Sequence, residues 1–170
     1  MPHGSLPGRF FRHLATDHGS VRRALPKAAL SRIEALIGEG EKRHRGQLRL
    51  AVEPALPLAR VLSGVSPRER AIEVFGLLRI WDTEENCGVL VYLLLADRDV
   101  EIVADRGIHR RVGDEAWRTV CHGMETAFRA GRFAEGVEAG IAQINALLAE
   151  HYPSDGGGRT NELADRPVVL

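Results

Sequence analysis

Residues 88–103 constrain the fold most strongly, because they read as two strands joined by a tight turn. Residues 88–96 form a continuous apolar run, which is typical of a strand buried on both faces. The tripeptide at 97–99 has turn composition, and residues 100–103 then alternate between apolar and polar side chains, as in a half-buried strand. The sequence therefore predicts an antiparallel hairpin that reverses at Arg98.

A strand and a helix are predicted ahead of this hairpin. Residues 46–53 alternate as a strand, and the prolines at 54 and 57 end it. A helix then begins at Ser66, because Ser66 is a good N-cap, a proline follows it, and Glu69 completes a capping box. A strand, a helix and a second strand favour a right-handed crossover and a parallel strand pair.

Helical periodicity recurs on both sides of these strands. One helix is predicted over residues 26–45, and two more follow the hairpin, with Trp117 on the first and Phe133 opening the second. The predicted fold is α/β: a three-layer α/β/α sandwich with a small mixed sheet, built from a parallel crossover plus an antiparallel hairpin. One domain is expected over residues 26–152, after an N-terminal arm with a short helix (1–25) and before a flexible C-terminal tail (153–170).

Composition excludes several classes of function. The 170 residues carry 23 basic and 23 acidic side chains, so the balanced charge argues against nucleic acid as a partner. The N-terminus has no secretory apolar segment and the longest apolar run is too short to cross a bilayer, so we expect a cytoplasmic protein that is not integral to a membrane. The common phosphate-loop, dinucleotide and serine-hydrolase motifs are absent from the sequence.

The short helix of the arm leaves two alternatives open. It presents Phe10, Phe11 and Leu14 among basic residues, a combination that is also found on helices at membrane surfaces. Docking on its own domain is favoured over a membrane surface, because one or two turns bury little area.

Two acidic segments are predicted to meet at one end of the hairpin. Antiparallel pairing places the end of the second strand beside the start of the first, which brings residues 82–86 next to residues 105–109. Calcium and magnesium prefer carboxylate and amide oxygens as ligands. The candidate metal ligands, with Glu85 as a further oxygen donor, are Asp82, Glu84, Asn86, Asp105 and Asp114. The alternative is that these loops are acidic because they are solvated, with Asp114 capping the helix that follows.

The same segments offer an anion site. Arg106 and His109 are candidates to hold a phosphate, and with a cation placed by Asp82 and Asp105 the site would hydrolyse phosphomonoesters. The preferred alternative pairs Arg106 with Asp82 or Glu85 and leaves His109 as an exposed loop residue.

Trp81, at the start of the first acidic segment, either packs beneath it or forms an aromatic wall.

Three segments together resemble the TPM domain family. They are Trp-Asp-Thr-Glu at 81–84, the run Glu-Asn-Cys-Gly-Val-Leu-Val-Tyr-Leu-Leu-Leu-Ala-Asp-Arg at 85–98, and Val-Glu-Ile-Val-Ala-Asp-Arg-Gly-Ile at 100–108. The resemblance extends from about residue 30 to residue 152, and the tail is similar to that of a soluble proteobacterial branch without signal peptide or membrane anchor. Many members have Asn-Asn-Gly where this chain has Asn86-Cys87-Gly88, which removes one oxygen ligand.

The resemblance implies an α/β/α sandwich whose binding end is formed by residues 82–86 and 105–114, here called the acidic rim. Divalent cations, calcium especially, and acid phosphatase activity are associated with some members, and others assist the assembly of membrane complexes. We therefore expect a cytoplasmic, non-enzymatic module that binds a partner protein through the acidic rim. The partner is unknown, and membrane-associated proteins are among the candidates. The candidate ion at the rim is calcium or magnesium. The binding residues would be Trp81, Arg106 and His109. The alternative is a metal-assisted acid phosphatase that uses Asp82, Asp105 and Arg106.

Overall fold

The computed structural model describes residues 6–156 and 161–170. Residues 1–5 of the predicted arm and residues 157–160 of the predicted tail lie outside the described residues. The helices, in chain order, are α1 Leu6–Ala15, α2 His18–Ala24, α3 Lys27–Glu41, α4 Leu58–Leu62, α5 Pro67–Leu77, α6 Arg106–Val112, α7 Asp114–Arg129 and α8 Phe133–His151. The strands are β1 Gln47–Glu53, β2 Gly88–Leu94, β3 Asp99–Ala104 and β4 Val168–Val169.

The sheet has the order β3-β2-β1-β4 and is mixed. β1 and β2 are parallel, with Leu48 opposite Val89, whereas β2 and β3 are antiparallel, with Val91 opposite Ile102. Both the predicted crossover and the predicted hairpin are confirmed. The apolar run leaves the sheet earlier than expected, because residues after Leu94 enter a short 3-10 turn.

Helices cover both faces of the sheet, which confirms the three-layer α/β/α fold. On one face, alternate residues of β1, β2 and β3 pack against α3, α7 and α8; examples are Leu50, Val91 and Ile102. On the other face, Tyr92 and Leu94 pack with Ala71 and Val74 of α5. The strands β1 and β2 are therefore buried on both sides, as expected for a crossover pair.

Helix starts follow local capping chemistry. The predicted capping box of α5 is present, with the Glu69 N–H donating to Ser66 Oγ at 3.2 Å and the Ser66 N–H donating to Glu69 Oε2 at 2.8 Å. The short helix α2 was not predicted, although Asp17 and Ser20 form a capping box of the same kind. Its Asp-x-x-Ser spacing was the available signal.

The predicted arm helix, α1, docks with its polar face inward. Arg9 and His13 are buried beside Asp97. Arg9 Nη2 lies 3.0 Å from Asp97 Oδ2, and His13 Nε2 lies 3.2 Å from Asp97 Oδ1. The apolar side chains of Leu6, Phe11 and Leu14 instead face solvent. The helix thus docks on its own domain while leaving most of its apolar surface uncovered.

The sequence left open whether the C-terminal tail docks. In the structure β4 adds to β1 in parallel, and the Leu170 N–H donates to the Val52 carbonyl oxygen at 2.9 Å. The Arg49 side chain donates to the carbonyl oxygen of Arg166 at 2.9 Å. The described residues 161–170 therefore cover the outer edge of β1.

Within the described residues, no helix is both long and apolar enough to cross a membrane.

Candidate functional site

The two acidic segments meet where β2 begins and β3 ends. The Asp105 N–H donates to the Gly88 carbonyl oxygen at 2.9 Å, and the Gly88 N–H donates to Asp105 Oδ2 at 2.8 Å. The predicted convergence of the two chain segments is therefore present at this junction. Burial raises the pKa of Asp105, and the hydrogen bond from Gly88 opposes that rise. One oxygen of the Asp105 carboxylate is therefore bonded to the backbone of β2.

Glycine is required at position 88 by a close backbone approach. A Cβ atom there would lie 2.0 Å from the Ile80 carbonyl oxygen, so the backbone at Ile80 could not approach the start of β2 as closely as it does. The turn before Gly88 is closed by Thr83, whose hydroxyl accepts the Cys87 N–H at 2.9 Å. Asn86 has φ 50°, a left-handed conformation that asparagine tolerates. These residues of the family-like motif thus have structural roles in shaping the loop.

Acidic side chains of the first segment have nearby basic partners. Asp82 accepts a hydrogen bond of 2.6 Å from Arg79, three residues earlier. Glu85 lies 3.6 Å from the Arg45 guanidinium, which comes from the segment that leads into β1. The sequence shows Arg79 and Asp82 at an i,i+3 spacing that is typical of an ion pair. The contact between Arg45 and Glu85, by contrast, depends on the parallel pairing of β1 and β2.

The C-terminal segment also reaches this end of the sheet. Glu162 Oε2 accepts the Glu84 N–H at 2.8 Å, and Gln47 Oε1 accepts the N–H groups of Glu162 and Leu163 at 2.8 and 3.1 Å. Glu162 and Gln47 were not predicted as site residues. No local pattern in the sequence indicates a contact between residues that are more than 70 positions apart.

The second segment is helical rather than a loop. Residues from Arg106 onward form α6, so His109 lies on a helix rather than in the loop that was expected. His109 Nε2 lies 2.7 Å from Asp114 Oδ1, and Arg118 lies 3.5 Å from the other oxygen of Asp114. Asp114 is the first residue of α7 and its N-cap is Gly113, so the expected capping role is wrong.

His109 and Asp114 line a groove between β3 and α7, away from the Gly88 junction. The groove has a volume of about 490 Å³ and is also lined by Trp117 and Cys121. Among the described residues, the buried Trp117 indole nitrogen has no hydrogen-bond partner. Trp81, which the sequence allowed to pack beneath the rim, is instead 50% exposed, and Arg106 is exposed.

The candidate metal ligands are divided among separate local settings. In the part of the chain that the structure describes, no three His, Cys, Asp or Glu side chains are grouped so that they could hold a metal ion. Asp82 faces Arg79, Asp105 faces Gly88 and Asp114 faces His109. In this arrangement the described carboxylates do not form one shared donor set for a divalent cation.

Neither thiol is arranged as a nucleophile. Burial raises the pKa of Cys87, against the opposing hydrogen bond with Thr83. Burial, with Glu101 and Glu125 nearby, raises the pKa of Cys121 to about 12. Both cysteines are therefore thiols at neutral pH, and a reactive cysteine needs the thiolate form.

Comparisons with known proteins agree with this architecture. The family model described as "TPM domain" matches residues 22–147. A search of curated proteins found no match. Among solved structures, the NMR structure of BA42 protein from the psychrophilic bacterium Bizionia argentinensis is similar, with a TM-score of 0.74 and 26% sequence identity. The similarity covers 86% of this chain and 95% of that one.

The family match spans the crossover, the hairpin and most of α8, which include the Gly88–Asp105 junction. It begins after α1 and ends before β4, so both terminal additions lie outside it. The predicted resemblance is confirmed by the sequence match and by the similar solved structure: the chain belongs to the TPM domain family.

Proposed function

We propose that this chain is a non-enzymatic TPM module that binds a partner protein through the Trp81 end of the acidic rim. The observation that carries the proposal is the 50% exposure of the Trp81 side chain at the edge of the fold. Tryptophan is enriched among the residues that contribute most to protein interfaces, because it combines a large apolar area with one polar group.

The surroundings of Trp81 indicate the chemistry of the partner. Leu77, four residues earlier, is also exposed, which adds a second apolar side chain at the end of α5. Acidic side chains outnumber basic ones in the adjoining loop and its contacts; the acids are Asp82, Glu84, Glu85 and Glu162, and the bases are Arg45 and Arg79. A partner with an apolar pocket bordered by basic residues would complement this surface.

The loop that carries the acidic side chains is held by its own hydrogen bonds. The Asn86 N–H donates to the Thr83 carbonyl oxygen at 3.1 Å, and the Cys87 N–H donates to the Thr83 hydroxyl at 2.9 Å. A loop that is already ordered loses little conformational entropy on association, and the affinity gains accordingly. The hydrogen bond from the Gly88 N–H to Asp105 also fixes the end of this loop.

The phosphatase alternative has weaker support. The pKa values of both cysteines are raised, and one oxygen of the Asp105 carboxylate already accepts a backbone hydrogen bond. Binding of calcium or magnesium and a cytoplasmic location stay predictions.

The main experiment compares partner recovery by two matched variants. The tagged full chain would be incubated with a lysate of the source cells, and any recovered protein would be purified for an affinity measurement. Trp81→Ala should weaken binding by about 2 kcal/mol or more. Phe11→Ala removes another exposed aromatic side chain, from the other end of the fold, and should leave binding unchanged. Equal binding by wild type and Trp81→Ala would overturn the proposed surface.

A second experiment addresses the enzymatic alternative. Phosphomonoester hydrolysis would be measured with and without added Mg²⁺ or Ca²⁺ for wild type and Asp105→Asn, and calorimetry would measure cation binding. We expect no metal-dependent activity. Metal-dependent hydrolysis that disappears in Asp105→Asn would replace the proposal with the phosphatase reading.

A further inference from the structure

The opposite end of the sheet carries a pocket that the acidic rim does not involve. In open α/β sheets, ligands usually bind outside the carboxyl ends of the parallel strands. Here β1 and β2 both end at this side, and the hairpin turn, α1 and α2 surround it. The pocket has a volume of about 420 Å³, within the usual size of a small-molecule site.

The charged side chains that line this pocket are all positive within the described residues. They are Arg12 from α1, Arg23 from α2 and Arg98 from the hairpin turn. Thr16 and Ser20 also line it, but their hydroxyls already donate to the Arg12 carbonyl oxygen at 2.8 Å and to Asp17 Oδ1 at 2.9 Å. Guanidinium groups are suited to bind the oxygens of an anion.

The positive charge of the pocket exceeds what its neighbours neutralise. Arg12 lies 3.5 Å from Asp97, but the same carboxylate is 3.0 Å from Arg9, so one negative charge faces two guanidiniums. Arg23 is 4.0 Å from Asp17, and both side chains are well exposed to solvent. Arg23 also donates to Ser20 Oγ at 2.8 Å. The exposed ion pair at the limit of contact contributes little, so the other N–H groups of Arg23 remain available to a ligand.

Arg98, in the hairpin turn beside the pocket, has an unusual backbone conformation. Its φ is 52°, in the left-handed region that glycine or asparagine occupies at lower cost. Its side chain lines the pocket, and it has no hydrogen bond or ion pair with any described side chain. Residues kept in such conformations are often found where a side chain binds a ligand.

We propose that this pocket binds the phosphate group of a phosphorylated organic molecule. The three guanidiniums contact the phosphate oxygens. Apolar lining from Leu95 and Phe133 accommodates the attached carbon skeleton. The family match begins at residue 22, so Arg12, Thr16 and Ser20 come from outside the matched region.

A free phosphate ester and a phospholipid headgroup offer the same chemistry. The exposed apolar residues of α1, Leu6, Phe11 and Leu14, lie on the helix that supplies Arg12, which would suit a headgroup at a membrane surface. The experiment therefore has one arm for each source. It is independent of the Trp81 surface, which lies at the other end of the sheet, so either proposal can fail alone.

In the first arm, the full chain is titrated with inorganic phosphate and with glycerol 3-phosphate, and binding is followed by NMR shifts of the backbone amide signals of Ala96 and Gly131, which line the pocket and are present in every variant. In the second arm, sedimentation is measured with phosphatidylcholine vesicles that do or do not contain phosphatidylglycerol. Circular dichroism verifies that each variant is folded.

Arg98→Asn and Arg23→Gln are the test variants, and Arg79→Asn is the matched control. Arg79 also has a left-handed backbone, with φ 53°, but lies at the acidic rim, so both Asn variants change a similar backbone setting. Each test variant should weaken binding about three- to tenfold, a range that allows for solvent exposure of the charges, whereas the control should not change it. Binding should also weaken as salt is raised.

Saturable binding in the first arm identifies a free phosphate ester as the ligand, and binding only to vesicles with phosphatidylglycerol identifies a lipid headgroup. The proposal is overturned if no probe binds saturably. It is equally overturned if Arg79→Asn weakens binding as much as Arg98→Asn does.

Discussion

The two ends of the sheet hold their charges in different ways. At the carboxyl end, the Asp97 side chain is 2% exposed and pairs with Arg9 from a segment 88 residues away. At the end of the sheet where β1 and β2 begin, here called the amino end, the Asp82 side chain is 49% exposed and pairs with Arg79, three residues before it. A buried carboxylate with distant partners ties the N-terminal helix to the fold. An exposed local pair mainly shapes a surface, because solvent screens it.

The buried cluster at the carboxyl end also determines the histidine tautomer. His13 Nδ1 accepts the Leu56 N–H at 3.0 Å, so the ring proton belongs on Nε2, which lies 3.2 Å from Asp97 Oδ1. Burial raises the pKa of Asp97, but His13 and Arg9 outweigh that effect and the net result is a lowered pKa. Asp97 is therefore charged in the folded state at neutral pH.

The largest effect should come from Asp97→Ala. The substitution leaves the buried Arg9 guanidinium without its carboxylate, and the free energy of unfolding should fall by about 3–5 kcal/mol. Urea denaturation at pH 7 measures this change. Because the folded-state pKa of Asp97 is lowered, its contribution should be present above the unfolded-state value and be lost as pH falls through the folded-state value. An effect below about 1 kcal/mol would show that the cluster does not anchor α1.

The next largest effect is expected at the amino end, from Gly88→Ala. The added methyl group meets the Ile80 carbonyl oxygen, and the backbone must shift, at a cost of about 1–3 kcal/mol or more. The control is Gly76→Ala in α5, where a Cβ would meet nothing within 4 Å. That change should raise stability by about 0.5–1 kcal/mol, as expected for alanine in a helix. Similar denaturation midpoints for both variants would contradict the close approach at Gly88.

Glu41→Gln should have an intermediate and pH-dependent effect. Burial raises the pKa of Glu41 to about 7, against the hydrogen bond from the Leu48 N–H. The folded protein thus holds a proton that the unfolded chain has released, so stability falls as pH rises between about 4.5 and 7. The variant cannot titrate there, and at pH 8 it should be more stable than wild type by about 1–2 kcal/mol.

The control for this variant is Glu39→Gln, on an exposed side chain of the same helix. Part of the pH dependence should persist in Glu41→Gln, because burial and nearby carboxylates also raise the pKa of Asp99 to about 7. Thermal unfolding from pH 5 to pH 8 follows both contributions. Identical profiles for Glu41→Gln and wild type would contradict the role given to Glu41.

The smallest effect should come from Asp82→Ala. Both members of its pair with Arg79 are largely exposed, so the free energy of unfolding should change by less than about 0.5 kcal/mol. Measured beside Asp97→Ala under the same conditions, this variant tests the contrast between the two ends directly. A loss as large as that of Asp97→Ala would remove the contrast.

Much of the fold could be predicted because its signals are local. The apolar run of β2 and the alternation of β3 identified the hairpin, and the Ser66–Glu69 spacing identified the start of α5. The convergence of the acidic segments followed from antiparallel pairing and is present at the Gly88–Asp105 junction. The helix α6 was missed because seven residues carry too little periodicity to distinguish a short helix from a loop.

The detailed arrangement of the rim could not be predicted in the same way. Asp82 and Asp105 were expected to face a shared ligand, but one faces Arg79 and the other faces a backbone N–H. Glu162 joins this end from the C-terminal segment, which no local pattern indicated. Side-chain direction depends on which partner lies nearest, and that is decided only when distant segments pack.

The sequence by itself determined the parallel pair of β1 and β2, the antiparallel hairpin of β2 and β3, and the capped start of α5 at Ser66. These features depend on hydrophobic period and on capping chemistry within a few residues. Only the tertiary structure decided that α1 buries Arg9 and His13 while it exposes Phe11, and that the C-terminal segment covers β1. Burying a charged side chain is favourable only when the folded structure places a counter-charge beside it. The counter-charge of Arg9 is Asp97, which lies 88 residues away along the chain, so this contact is decided by the tertiary structure.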